Sequence, residues 1–379
     1  MEQPLRKSRT RPTTAPTHAA DPGPFAALLP LLACPVSGEG GLVFEGVRGA
    51  QGHEGVLRTP GGRVYPVIGG VPRMLPPELL APFLKTAYPE FCSRFPEVGA
   101  WLTQASGPAP EPAVLDTLTG YSYQHVDMAD DTLLVDDWRA TWDRFQPGLP
   151  PESFAGQVVL DVGCGEGRHS FLVSEHARVL VGLDLSLGVE LSRRRDPRST
   201  SFYVQGDLRR PPFRPEVFDA LYSNGVLHHT PVPAESFASV ARLVKRGGRV
   251  SFWVYGLDDM RWLYRFSHLT WLRPVSNRLP RAAQLAIAAG LTAGVEIGLW
   301  TPARFLERVG LGPLASQIPY REAADRDWAY KFRRMFDRIN PPITHYPTKP
   351  EVTQWLEGYS GVQIVNVDGR GWSAHAFKA

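Results

Sequence analysis

Three aspartates and three closely spaced glycines are the residues of this chain best suited to chemistry. Asp161-Val-Gly-Cys-Gly-Glu-Gly167 closes an apolar run that begins at Val158, so it reads as a buried strand turning through a glycine loop into a helix. Lacking a Cβ, Gly163, Gly165 and Gly167 let the backbone approach a ligand where other residues would collide. Asp184 and Asp207 follow two further apolar runs, starting at Val179 and Phe202. An acidic side chain after the second strand can accept both hydroxyls of a ribose. One after the third suits an exocyclic amino group, with Leu185 and Leu208 flanking a ring. The pattern is that of a nucleoside site, but not of a dinucleotide: a pyrophosphate loop reads GxGxxG, and here the third glycine falls one residue early. His228 and His229 close a fourth apolar run. Either imidazole could take a proton near neutral pH; the pair could equally serve only to shape the loop.

Positioning these groups together requires strands whose ends share one edge. Val158–Val162, Val179–Asp184, Phe202–Asp207 and Phe218–Asn224 alternate with helical segments, which predicts an α/β fold with a doubly wound, seven-stranded, mostly parallel sheet. In such sheets ligands bind beyond the carboxyl ends of the strands, at the switch point. A fifth strand is expected over Arg249–Val254 after a turn at Lys245-Arg-Gly-Gly248, and an antiparallel pair over 362–367 and 374–377. Thr348-Lys-Pro-Glu351 has the form of a capping box opening a short helix.

Taken together, Asp161-Val-Gly-Cys-Gly-Glu-Gly167, Gly182-Leu-Asp184-Leu-Ser186, Gly206-Asp207 and Asn224-Gly-Val-Leu-His-His229 resemble the class I S-adenosylmethionine-dependent methyltransferases. The resemblance implies S-adenosylmethionine as cofactor, with its sulfonium and methionine end near Asp161, Gly163 and Asn224 and its adenosine at Asp184 and Asp207. Tyr123, in a helical segment ahead of the first strand, is expected to contact the methionine end. A sulfonium methyl is already activated, so the protein must mainly align donor and nucleophile and exclude water; neither a metal nor a covalent nucleophile is required.

The rest of the chain is less explicit. Its 379 residues, 43% hydrophobic and 21% charged with net charge +3, suit a globular protein of two or three units. That charge is too small to argue for a nucleic-acid partner, and none is expected. Cys34, Cys92 and Cys164 form no disulfide framework, which suits a cytoplasmic protein. Residues 1–24 read as a disordered tail and 25–76 as a small β module. Leu32-Ala-Cys34-Pro-Val-Ser37-Gly and Gly62–Leu75 resemble the zinc-ribbon domain of a methyltransferase activator subunit. Ser37, Arg58, Thr59 and Gly61 stand where further cysteines would be needed, so no metal is expected, and His53 reads as a loop residue. Residues 77–112 are taken as a linker, 113–255 as the cofactor-binding core, 256–347 as a helical substrate cap, and 348–379 as the segment completing the sheet. Leu133, Leu134, Trp138, Trp142 and Phe145 predict a helix over the cofactor. In the cap, 282–300 carries glycines at 290, 294 and 298 that would let another backbone come close; it reads as a buried helix, with membrane-surface contact, and so a protein peripheral to the membrane, as the alternative. Arg333-Arg334 and His345-Tyr346 are candidates for recognising the acceptor. The favoured acceptor is a small molecule, apolar or lipid-like. A macromolecule, protein or RNA, is the alternative, as is a cofactor-binding module without turnover. The sequence leaves the oligomeric state open.

Overall fold

A computed structural model describes residues 23–49, 52–104, 109–128, 135–258, 272–318 and 321–379. The expected tail as far as residue 22, Leu133 and Leu134, and 259–271 of the expected cap lie outside the described residues. Four strands, β1 (Val43–Gly49), β2 (Gly52–Arg58), β3 (Val64–Ile68) and β4 (Val71–Pro72), form an antiparallel meander. Leu42, Val56, Val64, Tyr65 and Ile68 are buried under it, whereas Val43 is half exposed. His53 is not in a loop: it sits in β2 opposite Arg48, its ring edge-on to Phe25 and Phe44. The Cys34 thiol is hydrogen-bonded to the Tyr65 hydroxyl at 3.1 Å. Gly46 and Gly55 face each other across β1 and β2; a Cβ on either would come within 2.3 Å of a carbonyl oxygen on the other strand.

Helix α1 (Pro77–Ala87) and two shorter helices as far as Gln104 occupy most of the stretch read as a linker. One continuous apolar core runs from Phe25 through the meander and α1 into the large sheet. The chain then enters α2 (Pro112–Ser122), a π-helical turn over Tyr123–Asp127, and α3 (Val135–Phe145). Strand β5 (Val158–Val162) leads to α4 (Arg168–Ser174), β6 (Val179–Asp184) to α5 (Gly188–Arg195), and β7 (Ser201–Gln205) to β8 (Phe218–Asn224) and α6 (Pro233–Ala241). Strand β9 (Val244–Tyr255) follows, and β10 (Ser360–Val367) and β11 (Gly371–Phe377) close the chain.

The large sheet has the order β10-β11-β9-β8-β5-β6-β7, parallel from β9 to β7 and antiparallel through β10 and β11. Every residue of β5 and β7 is buried. Helices cover both faces, so these strands read as unbroken apolar runs rather than alternating ones. The chain moves outward from β5 to β6 and β7, then returns to β8 on the other side of β5. That reversal opens a crevice between the ends of β5 and β8. The turn expected at 245–248 lies inside β9, where Gly247 has φ +73° and donates to the Lys378 carbonyl at 2.7 Å. The C-terminal segment therefore holds that end of β9 in the sheet.

The cap is built on α7 (Arg281–Val295), which continues to Arg308, and on α8 (Trp328–Ile339), packed against it. Gln284, Ala288, Thr292 and Trp300 are buried along one side. The expected burial does not extend around the helix. Only 17% of its most apolar window is buried, and a Cβ on Gly290, Gly294 or Gly298 would meet no atom within 4 Å, so among the described residues nothing packs on these glycines. Among the described residues it is the one helix long and apolar enough to cross a membrane, by length and composition only.

The expected capping box is formed at α9 (Lys349–Trp355): Thr348 accepts from the Glu351 N–H, and the Glu351 carboxylate accepts from the Thr348 N–H. This helix packs between α6 and β11 and fixes the return of the chain to the sheet. Replacing Thr348 with Ala should lower unfolding free energy by about 1 kcal/mol, read by chemical denaturation; an unchanged midpoint would show that the cap contributes nothing measurable.

Candidate cofactor cleft

A cavity of about 700 Å³ lies beyond the carboxyl ends of the central strands. Asp161, Gly163, Gly165, Asp184, Leu185, Asp207, Leu208 and Asn224 all line it, as does His229. Gly163 has φ +77°, and a Cβ there would lie 2.2 Å from a Val226 methyl. Gly167 does not reach the cavity. It has φ +83°, and a Cβ would press to 2.9–3.0 Å on Ser192, so its role is close packing of α4 on α5.

The Asp184 carboxylate ties the glycine loop to the next turn. Gly165 donates its N–H at 2.8 Å to one oxygen, while the Ser186 N–H and hydroxyl donate at 2.7 Å to the other. Asp207 accepts from the Arg209 N–H at 2.9 Å and from the Arg209 guanidinium at 2.7–3.2 Å. Asp161 is 3% exposed, and the Ser170 and Tyr222 hydroxyls donate to it at 2.5 and 2.8 Å. Burial pushes its carboxyl up to about 7, against the pull of those hydrogen bonds.

Gln146 donates to the Asn224 side-chain oxygen at 2.6 Å, which leaves the Asn224 amide to donate to His169 Nδ1 at 3.1 Å. That network assigns the His169 proton to Nε2. This buried N–H has no hydrogen-bond partner among the described residues, and the side chain lines the cavity. Burial, with Arg168 adding to it, pulls His169 down to about 3.

The two expected histidines part company. His229 donates from Nδ1 to the Ile343 carbonyl at 2.8 Å, which leaves Nε2 as its acceptor nitrogen. Burial pulls it down to about 4, the bond to Ile343 opposing. His228 is wholly buried and does not line the cavity; its ring stacks on Tyr255 at 3.9 Å and Nδ1 accepts from the Tyr255 N–H.

Tyr123 is likewise outside the cavity, under the Arg281 guanidinium at 4.8 Å and against Phe336. Its neighbours Tyr121 and His125 line the cavity instead, with their rings stacked at 5.8 Å. Residues four apart on a helix share a face, and a residue midway between them does not; that spacing was the signal available in the sequence. His125 lies against Gly165, with Nδ1 at 3.1 Å from the Ser186 hydroxyl. The π-helical turn that presents it is a feature frequent at functional sites.

Glu166 is a further residue that the motif reading passed over. It pairs with Arg333 of α8 at 2.7 Å, Arg195 at 3.1 Å and Arg168 at 3.3 Å. Burial raises its carboxyl, but Arg168 and Arg333 outweigh that and hold it at about 2. Arg333 and Arg334 both line the cavity, whereas His345 and Tyr346 do not. The far wall is aromatic: Phe145 stacks on Trp253 at 4.0 Å, with Tyr255 edge-on to Trp253.

These buried groups set an acid limit. As pH falls from 6.5, an unfolded chain protonates His169 and His229, while the fold keeps both neutral to about 3 and 4, so stability drops. Asp161 opposes this, because folded it holds a proton up to about 7 that an unfolded carboxyl releases near 3.8. One histidine is offset, and the remainder is a loss of roughly 1.4 kcal/mol per pH unit. Burial lowers His125, His53 and His375 as well, which adds to the loss; denaturation at pH 6 and 5 should therefore show at least that slope, and Asp161→Asn should steepen it by about a further 1.4 kcal/mol per pH unit. Equal slopes in the two proteins would contradict the assignment.

Comparison with known proteins bears on the same segment. Residues 160–252 match the family described as a methyltransferase domain. A tRNA U34 carboxymethyltransferase of Pseudoalteromonas atlantica is 29% identical over 125 residues, 32% of this chain and 37% of that protein. Those of Hydrogenovibrio crunogenus and Haemophilus influenzae are 31% identical over 128 and 123 residues, again 37% of each relative. The chain thus spans little more than a third of the length of these curated relatives. Among solved structures, an S-adenosylmethionine dependent methyltransferase from Mesorhizobium loti is 27% identical with TM-score 0.28, covering 35% of this chain and 57% of that one. The 1,6-didemethyltoxoflavin-N1-methyltransferase of Burkholderia thailandensis is 16% identical with TM-score 0.39, covering 72% and 93%. Because the curated relatives are named for tRNA, the expectation that no nucleic acid is a partner is withdrawn. The segment from β5 through β9, with its parallel order, glycine loop and acidic strand ends, is a class I S-adenosylmethionine-dependent methyltransferase domain.

Proposed function

We propose that the protein transfers a methyl group from S-adenosylmethionine to RNA, with tRNA as the acceptor class. The observation that carries this reading is the relation, at about 30% identity across the cofactor core, to enzymes named for tRNA. It replaces the small-molecule acceptor expected from sequence.

The cleft residues fit the cofactor. Gly163 lines the cleft at a point where a Cβ would collide with Val226, and the buried His169 Nε2–H, also in the lining, has no acceptor among the described residues. Asp161, Gly163 and Asn224 would hold the methionine end, Asp184 the ribose, and Asp207 with Leu185 and Leu208 the adenine. The bound sulfonium supplies an activated methyl; the chain's own residues bind, orient and keep water out. Of the two expected histidines His229 is the candidate base, since Nδ1–H is fixed on Ile343 and Nε2 is left to accept a proton, although burial that holds it at about 4 makes it a weak one. Phe145, Trp253 and Tyr255 offer an aromatic wall of the kind on which splayed RNA bases stack.

Two measurements test this. Asp184→Ala should weaken S-adenosylmethionine binding by about 2 kcal/mol, because charge-assisted hydrogen bonds and the tether on Gly165 are lost together; calorimetric titration reads it, and unchanged affinity removes Asp184 from the site. With labelled S-adenosylmethionine, label should enter the tRNA fraction of a cell extract and be released by ribonuclease. Label confined to small molecules or to protein would overturn the RNA reading.

A further inference from the structure

The β meander reaches the cofactor cleft through a buried arginine, Arg73, that is assigned no role from the sequence. Just after β4, Arg73 bridges to Gln205 at the end of β7, and the Met74 N–H donates to the Gln205 carbonyl at 2.8 Å. The meander therefore lies along the edge of the large sheet. The Arg73 side chain is fully buried beneath it. Its guanidinium donates to the Gln205 side-chain oxygen at 3.1 Å and to the Glu190 carboxylate at 2.5 Å, and it lies 5.4 Å from the Tyr88 ring. Tyr88 donates its hydroxyl to the same carboxylate.

Both partners of Arg73 lead to the cleft. The Gln205 amide passes the contact on, donating to the Leu185 carbonyl at 2.9 Å. Leu185 lines the cleft beside Asp184. Glu190 is in α5, whose start is fixed by the Ser186 hydroxyl through Gly188. The turn from Asp184 to Gly188 is thus held at its carbonyl and through its helix by one guanidinium. Val71 of β4 adds a packing contact in a cluster with Cys164 of the glycine loop, Val189 and Tyr203.

We infer that Arg73 and Gln205 are positioning residues for the cofactor, and that the N-terminal meander works as a built-in brace of the adenosine side of the cleft. This rests on the cofactor reading above. A buried cation held by three partners has little freedom to move, so the Leu185 carbonyl and the Asp184 turn are fixed before a ligand arrives, and less ordering remains to oppose binding. Without the brace the turn could still form, but it would have to be ordered by the ligand.

The test is calorimetric and kinetic. Gln205→Met keeps side-chain volume and the Arg73–Glu190 pair while cutting the link to Leu185. It should raise the Kd and KM for S-adenosylmethionine about tenfold, leaving kcat and the acceptor KM unchanged. Tyr88→Phe, in the meander's own flank, should raise the same two constants by a smaller factor. Arg58→Ala breaks the surface pair with Glu45 in the same meander and should change neither. Unaltered cofactor affinity in both Gln205→Met and Tyr88→Phe would overturn the inference, as would an equal rise in Arg58→Ala. Failure of the unmodified protein to bind S-adenosylmethionine would instead overturn the cofactor reading, and the brace with it.

Discussion

The Asp184 carboxylate takes the N–H of Gly165 on one oxygen and two donors of Ser186 on the other. Three chain segments meet there: the loop after β5, the end of β6 and the start of α5. The three glycines of the loop, with φ values of +77°, +54° and +83°, have no side chains with which to hold it, so at those positions its shape comes from neighbours. Asp184 and Ser192 hydrogen-bond Gly165, His125 lies against it, and Tyr203 packs with Cys164. The same atoms that shape the loop are those a ribose would address. The tether on the backbone fixes the direction in which the carboxylate points.

The 272–347 segment is attached to this assembly by ion pairs as well as by apolar contacts. Arg333 on α8 reaches Glu166 in the glycine loop, and Arg326 reaches Asp137 on α3. The apolar cluster of α7 and α8, centred on Ala288, Met335, Phe336 and Ile339, is separate from the main core. Its contacts with Tyr123 and Met128 leave the cap resting on the helices that cover the cleft.

Much of the core was legible because its signals are local. Strands buried on both faces show as unbroken apolar runs, and polar residues at their ends mark the edge where ligands bind. The capping box at Thr348 is similarly contained in four residues. What was missed depends on contacts between distant positions. Arg73 finds Gln205 and Glu190, and Arg333 finds Glu166, across more than a hundred residues of chain. No periodicity announces such pairs. Tyr123 was a different error: the helix carrying it puts Tyr121 and His125 on the cleft face and turns Tyr123 toward the cap. The glycines of α7 were misread for the opposite reason. Their spacing permits close packing, but nothing in the spacing supplies a partner, and among the described residues none is there.

Net charge says little about the partner. A value of +3 spread over 379 residues argues weakly for any polyanion, yet it is an average over a surface where most charges are paired. Around the cleft the pairing is uneven. Arg209 is matched by Asp207, and Arg326 by Asp137. At Glu166, Arg168, Arg195 and Arg333 meet one buried carboxylate. A net charge summed over the chain does not register local arrangements of that kind.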